Sequence, residues 1–223
     1  MLVNCGLCSK QAAGSTDVMY SLWLMPEHEK LTCDETTVAE STDPTRNRLY
    51  NTARKIISQN NHPDQQFEPH VTLVGGLYNS SVQSLRGLCN RLVSELPGPC
   101  MKLDVCDAGH YHHTQCVYFK MVKGDGLRTL YERAQTLLSE RAGVSLGVHG
   151  DVETYMPHMS LRYDCKARED ALKLCAGIER ELASCEEFRT SVLELWDTTG
   201  PIGGWTCVGS YPFIHDEGDV LVE

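Results

Sequence analysis

The chain has 223 residues, of which 41% are hydrophobic and 22% charged, and carries a formal net charge of −10 at neutral pH. This length fits one domain or two small lobes with a proper core, and no run of about 18 consecutive apolar residues offers a membrane span. The negative balance disfavours long nucleic acids, which bind chiefly by neutralising phosphates on a basic surface, and favours a small substrate with one or two charges.

Residues 1–17 carry Gly, Ser, Ala and Lys without periodicity and read as a flexible N-terminal extension. They lack the charged segment and apolar stretch of a secretory signal. Eleven cysteines, an odd number, indicate reduced thiols and a cytoplasmic location. Cys5 and Cys8 form a C-x-x-C pair, but no second pair follows at zinc-finger spacing. Cys89, Cys116, Cys175 and Cys207 lie in apolar stretches and read as small core residues.

The elements follow in order. Met19 to Met25 is apolar and aromatic and predicts a strand that Pro26 ends. Glu27 to Asp43 is polar and reads as a loop. Asp43-Pro44 opens a predicted helix, with Leu49, Ala53, Ile56 and Ile57 at helical spacing up to about Gln59. After the turn Asn60 to Asp64 comes a strand around His70, closed by Gly75-Gly76. Ser80 or Ser81 caps a helix carrying Val82, Leu85, Cys89, Leu92 and Leu96, which Pro97-Gly98-Pro99 stops. Met101 to Val105 and Gln115 to Val122 predict strands. Leu127, Leu130, Ala134, Leu137 and Leu138 mark a third helix, and Gly143 to Asp151 a loop. A strand around His158 is next, followed by a helix on Ala167, Ala171, Cys175, Ile178 and Leu182. Val192 to Trp196 and Thr206 to Tyr211 are the last strands, joined by the hairpin loop Thr199 to Gly204. Two helices fall in each half, and each histidine strand has helices on both sides. This order predicts an α+β fold of two similar lobes related by duplication.

Two segments repeat each other. Phe67-Glu68-Pro69-His70-Val71-Thr72-Leu73 and Tyr155-Met156-Pro157-His158-Met159-Ser160-Leu161 each read aromatic, spacer, Pro-His-x-Thr/Ser-Leu. On a strand, residues i and i+2 share a face, so His70 pairs with Thr72 and His158 with Ser160. The bare tripeptide also occurs at His112-His113-Thr114; the longer repeated context is what carries the signal. Two histidines, each beside a hydroxyl, suit a phosphate that needs one acid and one base. Imidazole has a reference pKa near 6.5, so both forms are accessible. Thr72 and Ser160 would donate hydrogen bonds to the non-bridging oxygens, where charge develops. The motif neighbours are hydroxyls rather than the carboxylates usual at catalytic metal sites, so neither metal nor cofactor is expected. His110-Tyr111-His112-His113 reads as a run of solvated loop histidines.

This pair of segments resembles the signature of the 2H phosphoesterase superfamily, and within it the plant and fungal type of cyclic nucleotide phosphodiesterase. Met19 to Pro26 resembles the first strand of that family, Gln115 to Tyr118 a central strand and Trp205 to Val208 the last. The resemblance covers roughly residues 18–213 and leaves out residues 1–17, Glu27 to Asp43 and the acidic tail 214–223. It implies a bilobal domain over 18–213, with two antiparallel sheets lining a central cleft, helices outside and an approximate two-fold axis. It also implies metal-independent hydrolysis of nucleoside 2′,3′-cyclic phosphates to 2′-phosphates, or of the ADP-ribose 1″,2″-cyclic phosphate made during tRNA splicing to the 1″-phosphate. By the same resemblance His158 is the base, His70 the acid, and aromatics at the positions of Tyr163 and Trp205 line the nucleoside pocket. Spacing alone points Tyr163 away from the His158 face unless the strand end bends. Trp23 and Trp196 read as core, and Arg162 as either a phosphate contact or an exposed residue. The expected partner is a small cyclic phosphate, with no long nucleic acid, no membrane and a monomeric chain. An RNA-end phosphodiesterase, a 2′–5′ RNA ligase, and a non-catalytic nucleotide-binding module remain open as alternatives.

Overall fold

The structure, a computed structural model, describes residues 18–26, 48–78, 80–109, 116–140, 145–146, 151–163, 165, 167–181 and 187–214. The expectations for residues 1–17, for Glu27 to Asp43, for His110 to His113 and for the tail after Ile214 lie outside these. Eight strands and four helices are described: β1 (Met19–Pro26), α1 (Arg48–Asn60), β2 (Val71–Tyr78), α2 (Val82–Glu95), β3 (Cys100–Asp107), β4 (Val117–Met121), α3 (Asp125–Ser139), β5 (Ser145–Leu146), β6 (His158–Arg162), α4 (Arg168–Glu181), β7 (Glu187–Asp197) and β8 (Thr206–Pro212).

Every strand pairing is antiparallel. The order runs β1-β2-β6-β4-β3-β7-β8, with β5 on β2 and β7 also paired to β1. The ladder therefore divides into β2-β1-β7-β8 and β6-β4-β3, two antiparallel sets of the kind that the resemblance implies. They meet at two seams. One is the pair Val71↔Met159 between β2 and β6. The other is the start of β7, where Glu187, Phe188 and Arg189 pair with Lys102, Met101 and Cys100 before the strand continues along β1.

Alternation along the strands sends one set of residues into the core. Leu22, Leu24, Val71, Leu73, Phe119, Met159, Leu161, Leu193 and Leu195 are all buried. The helices close over that side with the apolar stripes read from the sequence: Leu49, Ala53 and Ile56 from α1, Leu85, Cys89 and Leu92 from α2, and Leu127, Leu130 and Ala134 from α3. Ser81 caps α2, its hydroxyl accepting from the Ser84 N–H at 3.1 Å.

Some boundaries move. Gly75-Gly76 does not close β2. Gly76 takes φ 65°, a left-handed value that favours glycine, and the register with β1 slips there, since Tyr20 pairs with Leu77 but Leu22 with Val74. The pair forms a bulge, and the strand runs on to Tyr78. The loop predicted for 143–151 contains the two-residue β5, which adds to the edge of β2 through Leu77↔Leu146. β7 spans 11 residues, beginning well before Val192.

Candidate active site

The seam at Val71↔Met159 fixes the site. In an antiparallel pair, residues flanking a matched position lie opposite one another, so His70 falls across from Ser160 and Thr72 across from His158. All four side chains then leave the sheet on the face opposite Val71 and Met159, away from the core. Neighbouring strands extend this face: Trp23 of β1 is opposite Thr72, Tyr118 of β4 is opposite Ser160, and Lys120 is opposite His158. A one-residue slip of β6 against β2 would have put the two histidines on opposite faces. The imidazoles are near enough that charge on His158 opposes protonation of His70.

Both rings are held in the same way. The Nδ1 of His70 is 2.7 Å from the carbonyl oxygen of Glu68, and that of His158 is 3.0 Å from the carbonyl of Met156. A carbonyl can only accept, so each Nδ1 carries a proton and donates it. In the neutral ring Nε2 then holds the lone pair. The proline of each motif explains the repetition. Pro69 and Pro157 lie between the carbonyl and the ring, and a residue before proline is confined to extended conformations, which sets where that carbonyl points.

Burial holds both imidazoles below their usual pKa. His70 is 5% exposed and is pushed down to about 3, first by desolvation and then by the charge of His158, with the Glu68 hydrogen bond opposing. His158 is lowered by desolvation as well, against the pull of the Met156 carbonyl. The surroundings are aromatic. Trp23 stacks on His70 with ring centroids 3.5 Å apart and planes within 5°, and Tyr118 turns its edge to His158 at 5.6 Å. The Tyr118 hydroxyl donates to the Asp107 carboxylate at 3.2 Å.

Beside His70 opens a cleft of about 360 Å³, walled by Trp23, Phe67, Trp196 and Trp205, with Arg54 and Glu68 at its polar side. Trp205 thus stands in the cleft. Tyr163 is buried behind it, its ring 4.8 Å from Phe67, and its backbone N–H donates to the Asn61 side chain at 3.2 Å. Arg162 is half-buried at the end of β6, paired with Val117. Trp23 and Trp196 correct the sequence reading. Trp23 is buried as a core residue would be, yet its ring stacks on His70 and on Trp196, the latter at 4.3 Å, and both tryptophans line the cleft. One signal was available. In β1, Ser21 and Trp23 alternate with Leu22 and Leu24, so Trp23 shares its face with a polar residue. Phe67 and Glu68 belong to the first repeated segment and Tyr118 to the segment that resembles the family's central strand, but none was assigned to the site, and Arg54 had no such marker. Among the described residues no group of three or more His, Cys, Asp or Glu side chains is gathered as a metal site.

Comparison with other proteins adds to this geometry. Residues 19–220 match the family model described as cyclic phosphodiesterase-like protein. LigT of E. coli, in its complex with 3′-AMP, is similar in structure with a TM-score of 0.53 at 12% identity, over 89% of this chain and 99% of that one. TT0787 of Thermus thermophilus gives 0.52 at 14% identity, over 88% and 97% of the two chains. Identities this low speak for a shared fold alone. No curated protein sequence matches the chain significantly.

Proposed function

We infer the reaction from one premise: the chain belongs to the cyclic phosphodiesterase-like family, within the 2H phosphoesterase superfamily. Our proposal is that it opens small cyclic phosphodiesters with water, converting a nucleoside 2′,3′-cyclic phosphate to the 2′-phosphate or ADP-ribose 1″,2″-cyclic phosphate to the 1″-phosphate. The observation that carries this reading is the register Val71↔Met159, which sets two histidines and two hydroxyls on one face.

In this scheme Nε2 of neutral His158 takes a proton from the attacking water. Protonated His70 gives one from Nε2 to the departing alkoxide as the phosphorus–oxygen bond breaks. Thr72 and Ser160 donate to the non-bridging oxygens, and the tryptophan-walled cleft takes the organic part of the substrate, with Trp205 against the base. The burial of His70 suits its role. His70 is nearly inaccessible, and burial makes its imidazolium acidic and so a strong donor. Its protonated form is scarce in the empty site, but an anionic phosphate beside it favours the cation.

A panel of cyclic phosphates, with products identified by phosphorus NMR, tests the reading. Turnover is expected on cyclic mononucleotides in the presence of chelator, faster than on oligonucleotides ending in a cyclic phosphate. His70→Ala and His158→Ala should each lose at least about 10²-fold in kcat. Unchanged rates in both variants would leave only binding, and loss of turnover on chelation would overturn the acid–base account.

A further inference from the structure

Arg54 and Glu68 stand at the polar side of the tryptophan-walled cleft. Tyr50 and Arg54 lie four residues apart on α1 and so share a face of the helix. Tyr50 is buried, and its hydroxyl donates to Oε2 of Glu68 at 2.7 Å. Burial, and then this bond, push the tyrosine far above its ordinary pKa, so the hydroxyl keeps its proton and the carboxylate keeps its anchor. The backbone of the same glutamate holds His70, whose Nδ1 donates to its carbonyl oxygen. Arg54 comes to 3.6 Å from Oε1 of Glu68, too far for a hydrogen bond. The two side chains are 57% and 41% exposed, and an ion pair this open adds little to stability. Oε1, the second lone pair of Oε2 and the guanidinium donors thus keep hydrogen-bonding capacity at the cleft.

We propose that Glu68 and Arg54 read the edge of the substrate's base and select guanine, which makes guanosine cyclic phosphates the preferred substrates. This rests on the hydrolysis proposed above, with the base in the cleft against Trp205. Stacking on tryptophan accepts any base, because every base has a π-face, so the choice falls to the polar pair. An arginine beside a carboxylate presents a donor followed by two acceptors. The pairing edge of guanine presents the complement: the O6 acceptor, then the N1–H and N2–H donors. Glu68 can accept both N–H groups while Arg54 donates to O6. Adenine sets the lone pair of its N1 against the carboxylate and its amino group against the guanidinium, leaving like groups opposed. Uracil offers a single N–H between two carbonyls, and cytosine only its amino group.

The test measures kcat/KM on guanosine, inosine, adenosine and uridine 2′,3′-cyclic phosphates and compares ratios within each protein, so that a general loss of activity cancels. The guanosine substrate should lead the adenosine one by roughly tenfold, the low end for a bidentate contact because the pair is partly wet. Inosine, which keeps O6 and N1–H but lacks the amino group, should fall between them. Glu68→Gln should abolish the preference, and Arg54→Met, at an exposed position of α1, should reduce it. Equal rates on guanosine and adenosine substrates in the wild type, or a preference that Glu68→Gln leaves intact, would overturn the inference while the hydrolysis stands. Calorimetric titration with guanosine and adenosine 2′-monophosphates separates the other case. A guanine preference in binding, with no turnover of any cyclic phosphate, would refute the reaction and keep the base site. Neither preference nor turnover would refute both.

Discussion

Both candidate catalytic rings donate from Nδ1 to a carbonyl two residues earlier, which orients Nε2 as the working nitrogen of each. Both are also held below the ordinary histidine pKa of 6.5. A pair that needs one proton between its two members is then mostly empty of protons at neutral pH. As pH rises above the upper of the two values, the competent form falls about tenfold per unit. The expected profile of kcat/KM therefore rises as pH is lowered through 6.5 and peaks on its acid side; a profile flat or rising from about pH 6.5 to 8 would contradict the site's protonation. Tyr118 acts one step further out, through its edge contact with His158. Tyr118→Leu should lower kcat by roughly 2- to 10-fold and shift the alkaline limb, the size of one lost aromatic contact. Tyr118→Phe, which keeps the ring and loses only the bond to Asp107, should retain most of the rate and the limb. The histidines and hydroxyls were legible in the sequence because they come in a repeated context. Trp196 was not, because a tryptophan in an apolar strand looks the same whether its neighbours are leucines or an active-site imidazole, and for Trp23 only the alternation with Ser21 marked the face.

The strands that build this face were found from their alternation, and the departures have local causes. β5 has two residues, too few for any period to show. Gly75-Gly76 has the composition of a turn, and only pairing on both sides turns it into a bulge. The first residues of β7, Glu187 and Arg189, look like solvated loop and become a strand because β3 takes them as partners. The hairpin loop between β7 and β8 is not a free connection: its turn Ile202–Gly204 packs on the turn Pro63–Gln65. A Cβ on Gly203 would sit 2.5 Å from the Asp64 carbonyl oxygen, so the two turns approach as they do only because residue 203 has no side chain. Since Ile202, Gly203 and Trp205 all border the cleft, Gly203→Ala should push this wall outward while leaving the histidines in place. The expected result is a KM about tenfold higher with kcat changed far less. A fall in kcat with KM unchanged would show that the turn supports the reacting groups instead.

The ladder through β1, β2, β6, β4, β3 and β7 carries His70 at 5% exposure, and this couples the candidate catalytic machinery to the stability of the whole chain. The α+β order of elements was legible in the sequence, but the seams at Val71↔Met159 and at the start of β7 were not, since pairings this distant in sequence leave no local mark. His70 lies at the first seam, neutral and stacked on Trp23. The unfolded chain protonates this ring at its ordinary 6.5, whereas the folded one resists down to about 3. Below 6.5 the unfolded state therefore binds more protons, and stability falls as pH falls, by up to about 1.4 kcal/mol per unit. His158, also lowered, adds a contribution of the same sign. The paired carboxylate Glu95, depressed from 4.5 by Arg133 and Arg91, acts only below that value, so the interval between 6.5 and 4.5 isolates the histidines from it. His70→Gln should lose stability at every pH through the missing stack. The informative quantity is the slope: urea midpoints of the variant should fall less steeply than those of the parent chain across that interval. Parallel slopes would mean that His70 takes up its proton as readily in the folded chain as in the unfolded one, and that the ring is wet.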